Sequence, residues 1–156
     1  MSAIISKCGS YRYRLERRIG SGSRTCVFIM LNPSKADATI DDSTITRCIT
    51  YVRSWGYDKL VVGNLFAFRT TYPTELKVAA DPVGPENKKH LSKMFREADI
   101  VIAAWGNHGD HRGRAQEFHE YTAKNGIDLH YLKLTKQGHP SHPSRLAAAL
   151  QPKRWS

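Results

Sequence analysis

Four short stretches of the chain carry side chains suited to hydrogen-bonding chemistry. They are Asn32-Pro33-Ser34-Lys35, Asn64 with Phe66 and Arg69, Trp105-Gly106-Asn107-His108, and Gly138 to Leu146 with His139, His142, Ser144 and Arg145. Together they offer amides, imidazoles, hydroxyls and aromatic faces. Each also has a plainer reading. Asn32 before Pro33 serves either a turn or a site. Asn64 sits in a strand-like run where Asn is rare, and a buried amide must find partners. His139 and His142 fit a Pro-constrained loop in which they cap carbonyls. His108, His111 and His119 lie in a Gly-rich polar stretch without metal-ligand spacing, and Cys8, Cys26 and Cys48 form no C-x-x-C pair. Neither a metal nor a cofactor is expected. Gly20-Ser-Gly-Ser23 lacks the Gly-Lys-Ser/Thr of a phosphate loop and reads as a hairpin loop.

The elements that must position these groups follow from periodicity. Tyr11 to Leu15 alternates like a half-exposed edge strand, whereas Cys26 to Leu31, Leu60 to Phe66 and Asp99 to Trp105 are runs expected to be covered on both faces. Between them, Asp41-Asp-Ser-Thr44 opens a helix whose Ile45, Cys48, Ile49, Val52 and Trp55 share a face, and Pro85 to Ala98 and Gly113 to Asn125 form two more. A Thr/Pro-rich loop follows Phe66, and Ile127 to Leu134 is the last strand. Ser144 to Leu150 reads as a short terminal helix before the basic tail Gln151 to Ser156. Strand alternating with helix predicts an α/β fold in a single domain, residues 1–156. We expect a three-layer αβα sandwich with a mainly parallel four-stranded central sheet plus an N-terminal edge strand. In such a sheet ligands bind beyond the carboxyl ends of the strands, where all four stretches fall.

Composition narrows the partner. The 156 residues are 40% apolar, enough for a core, and carry 24 Lys plus Arg against 14 Asp plus Glu, a formal charge of +10. The apolar runs are far shorter than the roughly 20 residues a membrane span needs, and no signal-peptide pattern opens the chain, so a cytoplasmic monomer is expected. The surplus charge favours a polyanion, DNA or a nucleotide, with solubility as the alternative. Arg12, Arg14, Arg17, Arg18 and Arg24 cluster near the amino end, either facing nucleic acid or solvated on an edge strand. Beyond Leu129 there is no acid, while Lys133, Lys136, Arg145, Lys153 and Arg154 accumulate.

The order Leu31-Asn-Pro-Ser34, Val62-Gly-Asn-Leu65, Ala104-Trp-Gly106 and His142-Pro-Ser-Arg-Leu146 resembles the motif order of the uracil-DNA glycosylase superfamily. Over its full length the chain also resembles a bacterial and phage domain family of unknown function. That likeness is carried by Met30-Leu-Asn-Pro-Ser34, Asp41-Asp42, Trp55-Gly56, Asn64-Leu-Phe66, Asp81-Pro-Val-Gly-Pro85 and Ala104-Trp-Gly106. The first resemblance implies that Asn32 positions an attacking water, that Asn64 reads the edge of a flipped pyrimidine against Phe66, and that His142 donates to the departing base oxygen. It also implies a phosphate contact at Ser144 and an apolar wedge at Leu146. Ser34 stands where uracil-specific enzymes place a Tyr that blocks a 5-methyl group, and Arg145 replaces a Pro. Arg69, Lys136 and Arg145 are then DNA contacts, and Trp105 and Asn107 complete the pocket. Asp41 and Asp42 either cap the first helix or supply the carboxylate that an amide at position 32 cannot. The expected activity is metal-independent hydrolysis of an N-glycosidic bond, in which charge builds on sugar and base together. The alternatives are a base-binding module without catalysis, or an enzyme acting on free nucleotides or in base modification.

Overall fold

The apolar runs do become strands covered on both faces. The computed structural model describes residues 1–155. In chain order its strands are Ser2–Ile5 (β1), Arg12–Arg18 (β2), Thr25–Met30 (β3), Lys59–Asn64 (β4), Ile100–Ala103 (β5), Leu129–Tyr131 (β6) and Lys153–Trp155 (β7). The helices are Ser43–Ser54 (α1), Pro73–Val78 (α2), Asn87–Glu97 (α3) and Arg114–Lys124 (α4), with a 3-10 segment at Asn107–Gly113. One sheet contains all the strands in the order β1-β2-β4-β3-β5-β6-β7. The inner β4, β3, β5 and β6 are parallel, whereas β1, β2 and β7 run antiparallel to their neighbours. The α/β class is as expected, and the sheet is wider and more mixed than four strands plus an edge.

Alternation along the strands builds two cores. Cys26, Phe28, Leu60 and Val62 face Ile45, Cys48, Tyr51 and Val52 of α1. Val27, Ile29 and Val61 face Leu91 and Met94 of α3, Phe118 of α4 and Leu76 of α2 on the other side. Each such side chain contributes roughly 1.5–3 kcal/mol on burial, so each helix is fixed by its apolar stripe. The connection from β3 leads through α1 to β4, and that from β5 leads through α4 to β6 on the opposite side. A crevice therefore opens beyond the carboxyl ends of β3 and β5.

Four expectations need correction. The strand beginning near Tyr11 is not the edge, because the four residues of β1 cover it. Gly20 to Ser23 is not a hairpin loop, since β4 lies between β2 and β3; Gly20 and Gly22 instead let the chain pass Asp58, whose carboxylate an added Cβ would meet at 2.5 Å. No helix forms over residues 144–150. There Tyr51 donates its hydroxyl to the Ala147 carbonyl (2.7 Å) and Trp55 donates Nε1 to the Leu150 carbonyl (3.0 Å), so α1 takes the acceptors a helix would use internally. The basic tail is not free either, because Lys153–Trp155 pairs with β6. In addition, α2 forms within the Thr/Pro-rich loop, with Pro73 as its first residue.

One irregularity bears on the site. In the β1–β2 ladder Ile4 stands opposite Arg14 but Ile5 stands opposite Arg12, which leaves Tyr13 as an extra residue. Tyr13 and Arg14 both turn toward α3, the ring stacking on His90 (5.1 Å) and the guanidinium donating to Glu97 (2.6 Å). Arg12 is thereby returned to the opposite face, toward the start of α1. Re-aiming a side chain is what a bulge does mechanically.

Candidate functional site

Beyond the end of β3 lies a cavity of about 340 Å³. A second, of about 330 Å³, separates α3 from α4 and is walled by Leu91, Phe95, Phe118 and Tyr121. Size does not distinguish them, but chemistry does. The first brings together Asn32, Ser34, Asp42 and His142, four of the residues singled out by sequence, with Lys35 beside them. Besides β2, four segments converge to make it. The loops leaving β3 and β4 run side by side, Thr70 N–H donating to the Pro33 carbonyl (3.0 Å). The start of α1 closes another wall, and the loop after β6 brings in His142 as Gly106 N–H donates to the Pro140 carbonyl (2.7 Å).

Hydrogen bonding decides what each group has left to offer. The Asn32 amide donates Nδ2 to the carbonyls of Thr70 (2.8 Å), Pro33 (3.1 Å) and Phe68 (3.3 Å). Its donors are therefore spent on the two loops, and Oδ1 remains as an acceptor. His142 is the converse. Its Nδ1 accepts from the Ser144 backbone N–H (3.2 Å) and lies 2.7 Å from the Ser144 hydroxyl. An Nδ1 engaged as acceptor leaves the proton on Nε2. Burial lowers the His142 pKa below the ordinary histidine value, with Asp42 opposing more weakly. The ring is thus neutral near pH 7 and presents an N–H. Asp42 is the N-cap of α1, its Oδ1 accepting from Ile45 N–H (2.9 Å), and it lines the cavity as well. The Ser34 hydroxyl pairs with that of Thr71 at 2.9 Å.

Arg12 is the residue that sequence reading missed. It lines the same cavity with only 2% of its surface exposed; Nη1 donates to the Ala36 carbonyl (3.0 Å), whereas Nε has no partner. Burial pushes its pKa down to about 10, and the nearby Arg69 adds to that while Asp42 works against it. The other two buried arginines of β2 are different. Arg14 is paired with Glu16 and Glu97, and Arg17 with Asp41. Among the described residues no carboxylate lies within ion-pair distance of Arg12. Arg14 and Arg17 are thus neither solvated on an edge nor free for nucleic acid, whereas Arg18 and Arg24 are exposed. Strict alternation would have placed Arg17 with Tyr13 and Leu15 on the covered face, a readable signal, but nothing in the residue types announces the bulge that turns Arg12.

The remaining candidates are placed elsewhere. Asn64 is 1% exposed, and neither its Nδ2 nor its Oδ1 has a partner. It shares the face of Leu60 and Val62 and pairs with Met30, which lines the cavity, so it lies next to the pocket floor without lining it. Phe66 is buried in the opposite core with its ring 5.6 Å from His111, and Trp105 is sealed there against Phe118 and Trp155. Neither lines the cavity. Arg69 stands behind its wall, Nε reaching the Ser34 carbonyl at 3.4 Å, and Asp41 is occupied by Arg17. Leu146 packs half-buried on the α1 core rather than standing free as a wedge. Ser144, Arg145 and Lys136 are exposed, and Asn107 accepts from the Thr135 hydroxyl (2.7 Å) outside the cavity. Among the described residues no three His, Cys, Asp or Glu side chains converge as metal ligands. No helix there is long and apolar enough to cross a membrane.

Comparison with known proteins adds a family without a chemistry. A family model described as a protein of unknown function matches residues 12–144. No curated protein and no solved structure matches the chain.

Proposed function

The chain belongs to that family, DUF1643, whose description names no reaction, and from the pocket itself we propose that the protein hydrolyses the N-glycosidic bond of a pyrimidine nucleotide unit, extruded from DNA. The observation that carries this reading is the complementary pair in one cavity: an amide whose free atom is an acceptor, Asn32 Oδ1, and an imidazole whose free atom is a donor, His142 Nε2. As the glycosidic bond breaks, a water must be held on the sugar side and the base oxygen must be met by a donor. An acceptor amide orients such a water through its O–H, and a neutral N–H meets the oxygen. The resemblance of the motif order to that of uracil-DNA glycosylases points to the same assignment.

The cavity volume falls in the range of small-ligand sites. Ser34 with Thr71 forms a small polar wall that leaves room for a 5-substituent on the pyrimidine. Because an amide cannot take the proton of water, Asn32 acts by positioning. Asp42 is the carboxylate in the cavity able to accept that proton, in addition to capping α1. Asn64 reads the base edge only if the floor opens by a side-chain movement. Phe66 is not needed as a stacking face in this arrangement.

The test is base release and alkali-labile abasic sites on oligonucleotides carrying uracil, mismatched and 5-substituted pyrimidines, with free nucleotides alongside. Base release is expected from at least one substrate, with kcat reduced about 100- to 1,000-fold in Asn32→Ala and His142→Ala, the range for losing one preorganised transition-state contact. Absence of release from every substrate overturns the proposal. Tight, salt-dependent binding without release would make the protein a base-binding module.

A further inference from the structure

Three arginines of β2 are buried, and the protein treats them differently. Arg14 and Arg17 have carboxylate partners; Arg12 has none within ion-pair distance, and its Nε has no partner at all. A buried guanidinium lacking a counter-ion is costly, which is why such charges are almost always paired. It is also the one whose face the bulge reverses, and the one that lines the cavity.

The surroundings of Arg12 carry the same sign. Lys35 lines the cavity and Arg69 lies close enough to act on the Arg12 charge. The start of α1 also faces the cavity. Of its first N–H groups, Ile45 N–H is taken by the Asp42 side chain and Thr46 N–H by the Asp42 carbonyl (3.0 Å), which leaves those of Ser43 and Thr44. Asp42 is the opposing charge there, and Lys35 and Arg12 outnumber it. A planar fork of donors, a flexible ammonium, hydroxyls and the first N–H groups of a helix form a donor set suited to phosphate oxygens.

We infer that Arg12 is the counter-charge for a phosphoryl group of the ligand, seated between Arg12, Lys35 and the first residues of α1. The phosphoryl group belongs either to a free nucleotide or to the strand that carries the extruded unit. The inference deepens the hydrolase reading by naming what anchors the substrate, but it concerns binding and is measured without turnover.

The experiment titrates the intact protein with inorganic phosphate, a pyrimidine nucleoside 5′-monophosphate, the corresponding nucleoside and a short single-stranded oligonucleotide, following backbone amide shifts at constant ionic strength. The monophosphate or the oligonucleotide is expected to bind at least tenfold tighter than the nucleoside, with shifts at Ser43 and Thr44. Arg12→Gln should abolish that difference, and Lys35→Ala, at an exposed loop position, should reduce it several-fold. Preference for the monophosphate identifies a free-nucleotide site; preference for the oligonucleotide identifies a strand phosphate. Arg12→Gln removes a charge without a counter-ion, so it is expected to fold; if it does not, Lys35→Ala and the shifts at Ser43 and Thr44 in the unaltered protein decide. Equal affinity for nucleoside and phosphorylated ligands, or unchanged affinity in Arg12→Gln, overturns the inference. Phosphate-dependent binding without base release would retain this site and remove the hydrolase reading.

Discussion

The chemistry at residue scale turns on which atom of each side chain is left unspent. Asn32 and His142 would be interchangeable polar residues in composition, yet three backbone carbonyls make one an acceptor and the Ser144 amide makes the other a donor. Ser144 therefore acts on His142 by positioning it. In Ser144→Ala the backbone N–H is retained while the hydroxyl contact is lost, which costs about 0.5–1.5 kcal/mol. Base release should fall several-fold, with KM little changed. The pH profile supplies an independent check. Because the His142 pKa is lowered by burial, the neutral ring that accepts from Ser144 N–H at Nδ1 and donates at Nε2 persists through neutral pH; activity should be flat there and fall only below the ordinary histidine range near ~6.5, where a proton on Nδ1 would face the Ser144 N–H. A profile that instead rises as the solution becomes acidic would mean that the protonated ring is the working form. That Asn32 and His142 belong to one pocket was legible from sequence because both sit in distinctive loops at strand ends. The role of Arg12 was not, because an arginine in an alternating strand gives no sign of which face it serves.

At the scale of elements, the strands and helices that build the two cores were legible as apolar runs and stripes, because burial is what those patterns report. The short pieces were not. β1 has four residues, β7 three and α2 six, and none is long enough to carry a period; each is held by its neighbours. Residues 144–150 show the opposite error, since the run Ala147-Ala-Ala149 has high helix propensity but the carbonyls of Ala147 and Leu150 are claimed by Tyr51 and Trp55. The segment after β5 illustrates how closely such pieces fit. A Cβ on Gly109 would meet the buried Trp105 ring at 2.2 Å, against a side chain wedged between Phe118 and Trp155. Gly109→Ala should lower stability by about 1–3 kcal/mol, the usual range for overpacking a core. Thermal unfolding followed by tryptophan fluorescence measures it, and an unchanged midpoint would mean that the segment lifts off without cost.

For the molecule as a whole, the charge of +10 is unevenly displayed. Arg12, Arg14 and Arg17 are buried, two of them consumed by carboxylates, whereas Lys133, Lys136, Arg145, Lys153 and Arg154 are exposed on the carboxyl-terminal side, Arg154 with Asp128 as partner. The exposed group, together with Arg18 and Arg24 at the amino end, is available to an extended polyanion. Replacing Lys136, Arg145 and Lys153 by Glu should weaken oligonucleotide binding and flatten its salt dependence, by about 0.9 in slope for each duplex phosphate contact removed. Unchanged affinity would assign these charges to solubility. Stability should respond to acid across the whole fold. His90, His111 and His142 all have lowered pKa values, each chiefly through burial, so between their folded values and ~6.5 the unfolded chain binds more protons. Stability is then lost as pH falls through that window. Glu16 and Asp37, held below the ordinary carboxylate range, extend the loss at lower pH. Denaturant midpoints between pH 7.5 and pH 5 test the first part, and a midpoint that rises toward acid would contradict it.

The extra residue at Tyr13 also sets a rule for reading relatives of this chain. It acts as a phase shift: ahead of it the residues of β2 count faces in one parity, and behind it in the other. A homologue with a single-residue gap at this position would keep the cavity-facing arginine, because without the extra residue the equivalents of Arg12 and Arg14 stand side by side in ordinary alternation, still opposite Ile5 and Ile4. A relative of unchanged length whose ladder closed without the bulge would instead turn its equivalent of Arg12 into the α3 layer beside that of Arg14, leaving Lys35 as the cation of the cavity. The register of β2 against β1, and not the length of the strand, is therefore the marker of whether a relative keeps the same ligand chemistry.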